Sequence, residues 1–519
     1  MSDVHEGASW WRRGVIYQIY PRSFQDSDGD GIGDLAGLRR RLDHLQWLGI
    51  DAVWLSPIFP SPMADFGYDV ADYNAVDPMF GSFGDLDELI AELDRRGMRL
   101  LLDLVPNHTS DRHPWFLESR SSRDNPRRDW YIWRDPAPDG GPPNEWQSAF
   151  KGSAWEWDEH TGQYYFHAFL KEQPDLDWRN PQVRAAMHDV LRFWLQRGVA
   201  GFRIDVIWLL AKGVELEPGQ PAQEDGIGGD QPAVHAYIAE LRALAGEFDD
   251  ALLVGELYLE PERLMAYYGT RGEGLQLPFN FQLVEQPWDA QTLSPIIARY
   301  EELLPQAGWP NWVLGNHDKP RIASRVGARQ ARVAAVMLLT LRGTPTIYYG
   351  DEIGMVDAEV PADLQRDPQG LRGGASRDPQ RTPMRWDGSA TGGFTDGTPW
   401  LPIGPSLATI NVEAQREDRG SMLTLHRSLL ELRRREPALN VGRFQSLGAD
   451  GDVLAYERSF EETTFLVVLN LGSSPARTEV GRSGRVVVST HVGREDRLVV
   501  GEVDLSADEA VVIRVDPGD

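Results

Sequence analysis

Apolar residues follow two alternating rhythms over the first 350 residues. Short, nearly continuous runs such as GVIYQIY (14–20) and DAVWLSP (51–57) read as buried strands. Between them, LAGLRRRLDHLQWLG (35–49) sets Leu35, Leu38, Leu42, Leu45 and Leu48 on one 3.6-residue stripe, which predicts a helix. The unit then repeats. The helical pattern at 83–97 runs into MRLLLDLVP (98–106), and the helix at 180–198, opened by Asn180 and Pro181, runs into VAGFRIDVI (199–207). The pattern at 235–248 leads to ALLVGELY (251–258). LQLPFN (275–280), a helix near 292–304, WVLGNH (312–317), an apolar helical stripe near 331–342 and GTPTIYYG (343–350) complete the series. Eight strands, near 16, 53, 101, 203, 253, 277, 313 and 346, predict an α/β fold, a (β/α)8 TIM barrel.

The rhythm breaks twice. Residues 107–175 are rich in Trp, Pro, Asp and Gly, too long a stretch for a structureless loop, and are expected to form an inserted small domain after strand 3. Beyond a helix at 420–435, the runs DVLAYERSF, TTFLVVLNLG, RVVVSTH and EAVVIRVD predict a C-terminal antiparallel β-sandwich domain. The expected organisation is a first barrel part at 1–106, an inserted domain B at 107–175, a second barrel part at 176–435 and the β domain at 436–519. A segment rich in Gly, Pro and Glu, 213–232, reads as a variable loop.

Composition narrows the function. The chain has 519 residues and a formal charge of −27, an acidic field that repels nucleic acid and anionic membranes. It has no cysteine, which rules out disulfides, thiolate nucleophiles and Cys-based metal sites. The first residues, MSDVHEGASWWRRG, contain no apolar signal core, and the longest apolar candidate is broken by Arg332 and Arg342. The expectation is a soluble, cytoplasmic monomer or homodimer with a small-molecule substrate.

Four predicted strands end on carboxylates: Asp103, Asp205, Glu256 and Asp318. A barrel does its chemistry at the carboxyl ends of its strands, and charges there are costly unless they are paired or face a cleft. A different acidic pattern, DSDGDGIGD (26–34), offers Asp26, Asp28, Asp30, the Ile32 carbonyl and Asp34 around turn-permitting glycines. Alternating hard oxygens of this kind suit calcium, with magnesium as the alternative. The acid of an EF-hand's twelfth place is replaced by Gly37, so this is not an EF-hand.

The ordered motifs DLVPNH (103–108), GFRIDV (201–206), GE (255–256) and NHD (316–318), with QPDLD (173–177), resemble the alpha-amylase family (glycoside hydrolase family 13), in its alpha-glucosidase and oligo-1,6-glucosidase branch. The likeness spans essentially the whole chain; Asp177 stands where that branch usually has Asn. It implies that Asp205 is the nucleophile, Glu256 the general acid/base and Asp318 the third carboxylate of a retaining exo-acting alpha-glucosidase. Arg203, two residues from Asp205, would hold that nucleophile ionised, whereas Glu256 has no basic neighbour in sequence. The likeness also makes His108 and His317 sugar ligands. Asp65 and Tyr68 would hold the non-reducing glucose, with Arg381 pairing with their loop to close the pocket. Phe150 and Phe169 are weaker candidates for its walls, and the calcium loop would be structural. Val206 matches the oligo-1,6-glucosidases, but alpha-1,4-active relatives carry valine too. Maltose-type alpha-1,4 oligosaccharides are the expected substrates, with transglucosylation, an oligo-1,6-glucosidase or a sucrose-active enzyme as alternatives. The segment KPRIASRV after NHD lacks the arginine-rich loop associated with sucrose isomerases.

Overall fold

The computed structural model describes residues 9–213 and 228–518; of the segment expected to be a variable loop, 214–227 lie outside the described residues. Strands β1 (Ile16–Ile19), β2 (Ala52–Leu55) and β3 (Arg99–Leu104) pair in parallel. The insertion follows, with β4 (Trp133–Arg134), β5 (Trp155–Asp158) and β6 (Gln163–Phe166) in a small antiparallel sheet ordered β4-β6-β5. The parallel series then resumes with β7 (Gly201–Ile204), β8 (Leu252–Gly255), β9 (Leu277–Asn280), β10 (Asn311–Trp312) and β11 (Thr346–Tyr348). The large sheet runs β10-β9-β8-β7-β3-β2-β1-β11, and a parallel bridge from Val313 to Thr346 joins its two ends. The eight expected strands therefore close as a barrel, which leaves no free sheet edge.

Local signals place the surrounding helices. Ser82 and Asp85 form a reciprocal capping box on the helix Phe83–Arg95, while Asn180 caps Pro181–Gln196 with Pro181 in its first turn. The stripe from Leu35 to Leu48 is fully buried, but the expected single helix is two, Leu35–Arg40 and Leu42–Leu48, divided at Arg41. Gly201 opens β7 at φ 152°, where a Cβ would meet the Leu252 carbonyl oxygen at 2.1 Å. Only glycine lets β7 lie that close to β8.

The C-terminal strands are β12 (Arg443–Asp450), β13 (Val453–Phe460), β14 (Thr463–Asn470), β15 (Ala476–Ser489), β16 (Leu498–Leu505) and β17 (Ala510–Val515), ordered β12-β13-β14-β17-β15-β16 and antiparallel. Alternation along β14 buries both faces of this sandwich sheet. Phe465, Val467 and Leu469 join the barrel's core; Leu466 and Val468 join a second cluster with Val486, Val499 and Val503. Among the described residues, no helix is long and apolar enough to cross a membrane.

Candidate active site

Asp103 lies in the last turn of pleat of β3, Asp205 and Glu256 directly follow β7 and β8, and Asp318 lies on the turn after β10. All four thus sit at the carboxyl ends of the barrel strands. Asp205, Glu256 and Asp318 line one cavity of about 230 Å³ together with Asp65, Tyr68 and His108. That volume is below the ~300 Å³ at which pockets for drug-sized ligands begin, so it suits one sugar ring rather than a chain segment.

Arg203 organises the floor. Its side chain is 1% exposed and bonds three carboxylates: Asp103 at 2.9 Å, Asp205 at 2.7 Å and Glu256 at 2.8 Å. The expectation from sequence gave Arg203 to Asp205 and left Glu256 without a basic partner; β7 and β8 lie side by side, so the same guanidinium reaches both. Burial pushes the Asp205 carboxyl well above the usual carboxylate range, against the pull of Arg203, with Glu256 and Asp103 adding to the rise. Burial likewise lifts Asp103 to about 7. One guanidinium offsets only one of the three charges, so Asp205 and Asp103 both stay raised despite its pull. Asp103 also accepts from Tyr68 Oη (3.0 Å) and Trp54 Nε1 (3.2 Å), which fixes both rings.

Val206, next after Asp205, is held at φ 35°, a left-handed conformation uncommon for a β-branched residue. In that position its N–H donates to Glu256 Oε2 at 3.0 Å, and its side chain packs with Ile132, Trp146 and Phe166 of the insertion. The insertion therefore braces the chain between Asp205 and Glu256.

Asp318 is different. Burial opposes its ionisation, but the guanidiniums of Arg377 and Arg381 hold its carboxyl well below the usual range. Arg381 Nη2 reaches Asp318 Oδ1 at 2.8 Å and its Nε donates to the His317 carbonyl at 2.9 Å. The expected pairing of Arg381 with the Asp65 loop is not formed. Arg377 takes that place: its Nη2 bonds Asp65 Oδ1 at 2.7 Å and Asp367 Oδ1 at 2.6 Å, and its Nη1 reaches Asp318 at 3.1 Å. Arg377 lies just before a short 3-10 turn, Pro379–Arg381, and Arg381 ends it, which sends the two to neighbouring partners.

His317 is fully buried, which lowers its imidazole well below its ordinary value and keeps it neutral. Its ring stacks on Tyr68 at 5.3 Å and 4°, Gln18 Nε2 contacts Nδ1 at 2.9 Å, and Nε2 lies 3.1 Å from Asp318. His108, also neutral through burial, contacts the Tyr68 carbonyl at 3.0 Å and Gln173 Nε2 at 3.1 Å. Gln173 also donates to Asp65 (3.3 Å), and Asp177, at the end of the same motif, instead pairs with Arg179 at 2.6 Å. Phe150 and Phe169 line the cavity, as do Tyr258, Lys319, Gln369, Gln173 and Arg377, which the sequence did not single out as ligands. Gln173 lay within a quoted motif, but no local signal marked Arg377 over Arg381.

In the acidic loop, carboxylate oxygens of Asp26, Asp28 and Asp34 lie within 4.8 Å of one another. Asp26 is the anchor: it accepts from the N–H groups of Asp28 (2.9 Å), Gly29 (2.8 Å) and Gly31 (2.9 Å) and from the Thr395 hydroxyl. Asp34 accepts from Ser27 and caps Gly37. Asp30 stands outside the trio and accepts from Ile32 N at 2.7 Å. Three converging hard oxygens fit a divalent cation.

The alpha amylase catalytic domain family matches residues 18–442. An oligo-1,6-glucosidase of Heyndrickxia coagulans is 40% identical over 514 residues, covering 90% of this chain and 92% of that one. A probable alpha-glucosidase of Rhizobium meliloti is 42% identical over 502 residues, 91% of each chain. Among solved structures, the trehalulose synthase of Pseudomonas mesoacidophila superposes with a TM-score of 0.93 at 36% identity, over 98% of this chain and 100% of that one.

Proposed function

From the premise that this chain belongs to the alpha-amylase family, glycoside hydrolase family 13, we propose that it is a retaining, exo-acting alpha-glucosidase that removes terminal glucosyl units from short oligosaccharides, with alpha-1,6 bonds favoured. The observation that carries this reading is the pairing of Asp205 and Glu256 to one guanidinium at the mouths of adjacent strands. A double displacement needs its two carboxyls ~5–5.5 Å apart, and pairing to one guanidinium keeps Asp205 and Glu256 near each other. In this reading Asp205 attacks the anomeric carbon, forming the glycosyl ester, while Glu256 gives its proton to the leaving oxygen and then takes one from water. Asp318, held ionised by its two arginines, binds sugar hydroxyls more tightly as positive charge develops on the ring.

The Asp65–Arg377–Asp367 bridge supports a pocket with one blind end, and Tyr68 and His108 on its wall supply polar contacts to the first ring, with the fully buried His317 stacked behind Tyr68. The alpha-1,4 preference expected from sequence has less support than alpha-1,6, because the oligo-1,6-glucosidase likeness runs over nine-tenths of the chain. Transfer to a sugar acceptor is the second reading, favoured by the likeness to a trehalulose synthase. The acidic loop is proposed to hold one structural calcium through Asp26, Asp28, Asp34, the Ile32 carbonyl and Asp30, with Asp30 turning inward on binding.

One product-resolved assay over isomaltose, panose, maltose, sucrose and trehalose tests the substrate reading. Isomaltose and panose cleaved faster than maltose are expected; maltose cleaved at least tenfold faster would overturn the alpha-1,6 preference. New linkages appearing at high sucrose would establish transfer.

A further inference from the structure

We propose that the closed end of the barrel, opposite the catalytic cavity, carries a site for a phosphate group. A separate cavity of about 380 Å³ is lined there by Arg13, Asp51, Arg433, Arg434 and Asn440, among others. Val15 and Asp51 lie just before β1 and β2, so this cavity opens at the amino ends of the strands whose carboxyl ends face the sugar.

Three guanidiniums face one carboxylate. Asp51 is already satisfied: one oxygen accepts from Val15 N at 2.9 Å and the other from Arg434 Nη2 at 3.0 Å. Arg433 is 1% exposed; its terminal nitrogens donate to the carbonyls of Leu439 and Gly343, and its Nε is buried without a partner. Burial pushes this guanidinium down to about 10, with Asp51 as the opposing charge. Arg13 carries the argument furthest. Its Nε and Nη2 are buried without a hydrogen-bond partner, and it forms no ion pair among the described residues.

Buried polar atoms are normally satisfied, so the two unpartnered donors of the half-buried Arg13 call for an acceptor. Arginine also presents its donors in a fork that matches phosphate oxygens bidentately. With Asp51 ionised, the three arginines and one aspartate leave an excess of two positive charges, which matches a phosphate dianion. This patch is positive in a chain whose formal charge is −27, so it is not the by-product of a basic surface. The cavity has room beyond a bare phosphate, so inorganic phosphate and a hexose phosphate present the same group to it.

Titration calorimetry of the full chain with inorganic phosphate, with a hexose 6-phosphate and with chloride at matched ionic strength tests the site, alongside R13A and R434Q. Phosphate binding in the millimolar range or tighter is expected, weakened about tenfold or more in both variants. Hydrolytic activity at the opposite end should be unchanged in R13A, whose side chain makes no bond that the fold needs. Tighter binding of the hexose phosphate assigns the sugar ester as the source, and equal binding assigns free phosphate. Absence of phosphate-specific heat at about 10 mM, or equal affinity in wild type and R13A, would overturn the proposal.

Discussion

At the scale of single residues, the site is a division of labour among carboxylates set by their neighbours. Asp205→Asn keeps the shape but cannot form the glycosyl ester, so turnover should fall about ten-thousandfold or more, with the melting temperature little changed. In the wild type, NMR of fresh product should show the alpha anomer first; initial beta-glucose would exclude double displacement. Arg377→Ala separates the two arginines. It leaves Asp65 buried without its cation and Asp367 with only Arg381 at 4.0 Å, a loss of about 3–5 kcal/mol by comparison with broken buried pairs. Part should appear as a lower melting temperature and part as a higher KM. Arg381→Ala should leave the Asp65–Arg377 bridge in place and act mainly on kcat through Asp318. Equal KM in wild type and R377A would remove Arg377 from the pocket's closure.

At the scale of elements, the acidic loop and the insertion each do something their sequence only partly announces. The loop's turns are built by Asp26, whose carboxylate gathers three N–H groups and the Thr395 hydroxyl. Cation binding is therefore best tested at Asp28, which is exposed and accepts only the Asp30 N–H, at 3.2 Å. Calcium added to chelator-treated enzyme should raise the melting temperature, because a ligand at 100 times its Kd adds about 2.7 kcal/mol. Asp28→Ala should blunt that response while keeping kcat. A melting temperature indifferent to both chelator and calcium would make the loop a turn cluster alone. The insertion's aromatic residues divide: Phe116 and Trp133, stacked at 5.8 Å, join the barrel's core, whereas Trp146, Trp155 and Phe166 form a separate apolar cluster that reaches Val206.

At the scale of the whole molecule, buried carboxyls set how stability depends on pH. Asp69 and Asp351 are lifted by burial to about 6 and about 7. Between ~3.9, where such groups titrate in the unfolded chain, and those values, the fold holds more protons than the unfolded state. Their contribution is complete below ~4 and is lost as pH rises through 6 and 7. Asp318 and Glu352 are held below their ordinary values, so theirs is present above ~4 and lost in acid. Melting temperatures should peak between about pH 4 and 5 and decline toward pH 7; a rise from pH 5 to 8 would contradict the assignment. The blind pocket makes a further demand on the whole cleft. A reducing-end-labelled isomaltoheptaose should yield glucose and labelled hexaose first, and a spread of labelled short products from the outset would show internal cleavage.

The sequence by itself determined the eight strands, the two interruptions and the carboxylates at strand ends. Each is a local matter: period, capping residue, or a charge closing an apolar run. GFRID announced Arg203 and Asp205 as neighbours on one face because strand side chains alternate. Only the tertiary structure decided who shares that guanidinium, since Glu256 comes from an adjacent strand some fifty positions away and reaches Arg203 only once β7 and β8 pair. The same holds for Arg377. Two arginines four residues apart on an irregular turn carry no periodicity to say which faces Asp65, more than three hundred residues earlier in the chain. Partner choice in a buried ionic network is set by which backbones the barrel brings together, and that is a property of closure, not of any window of sequence.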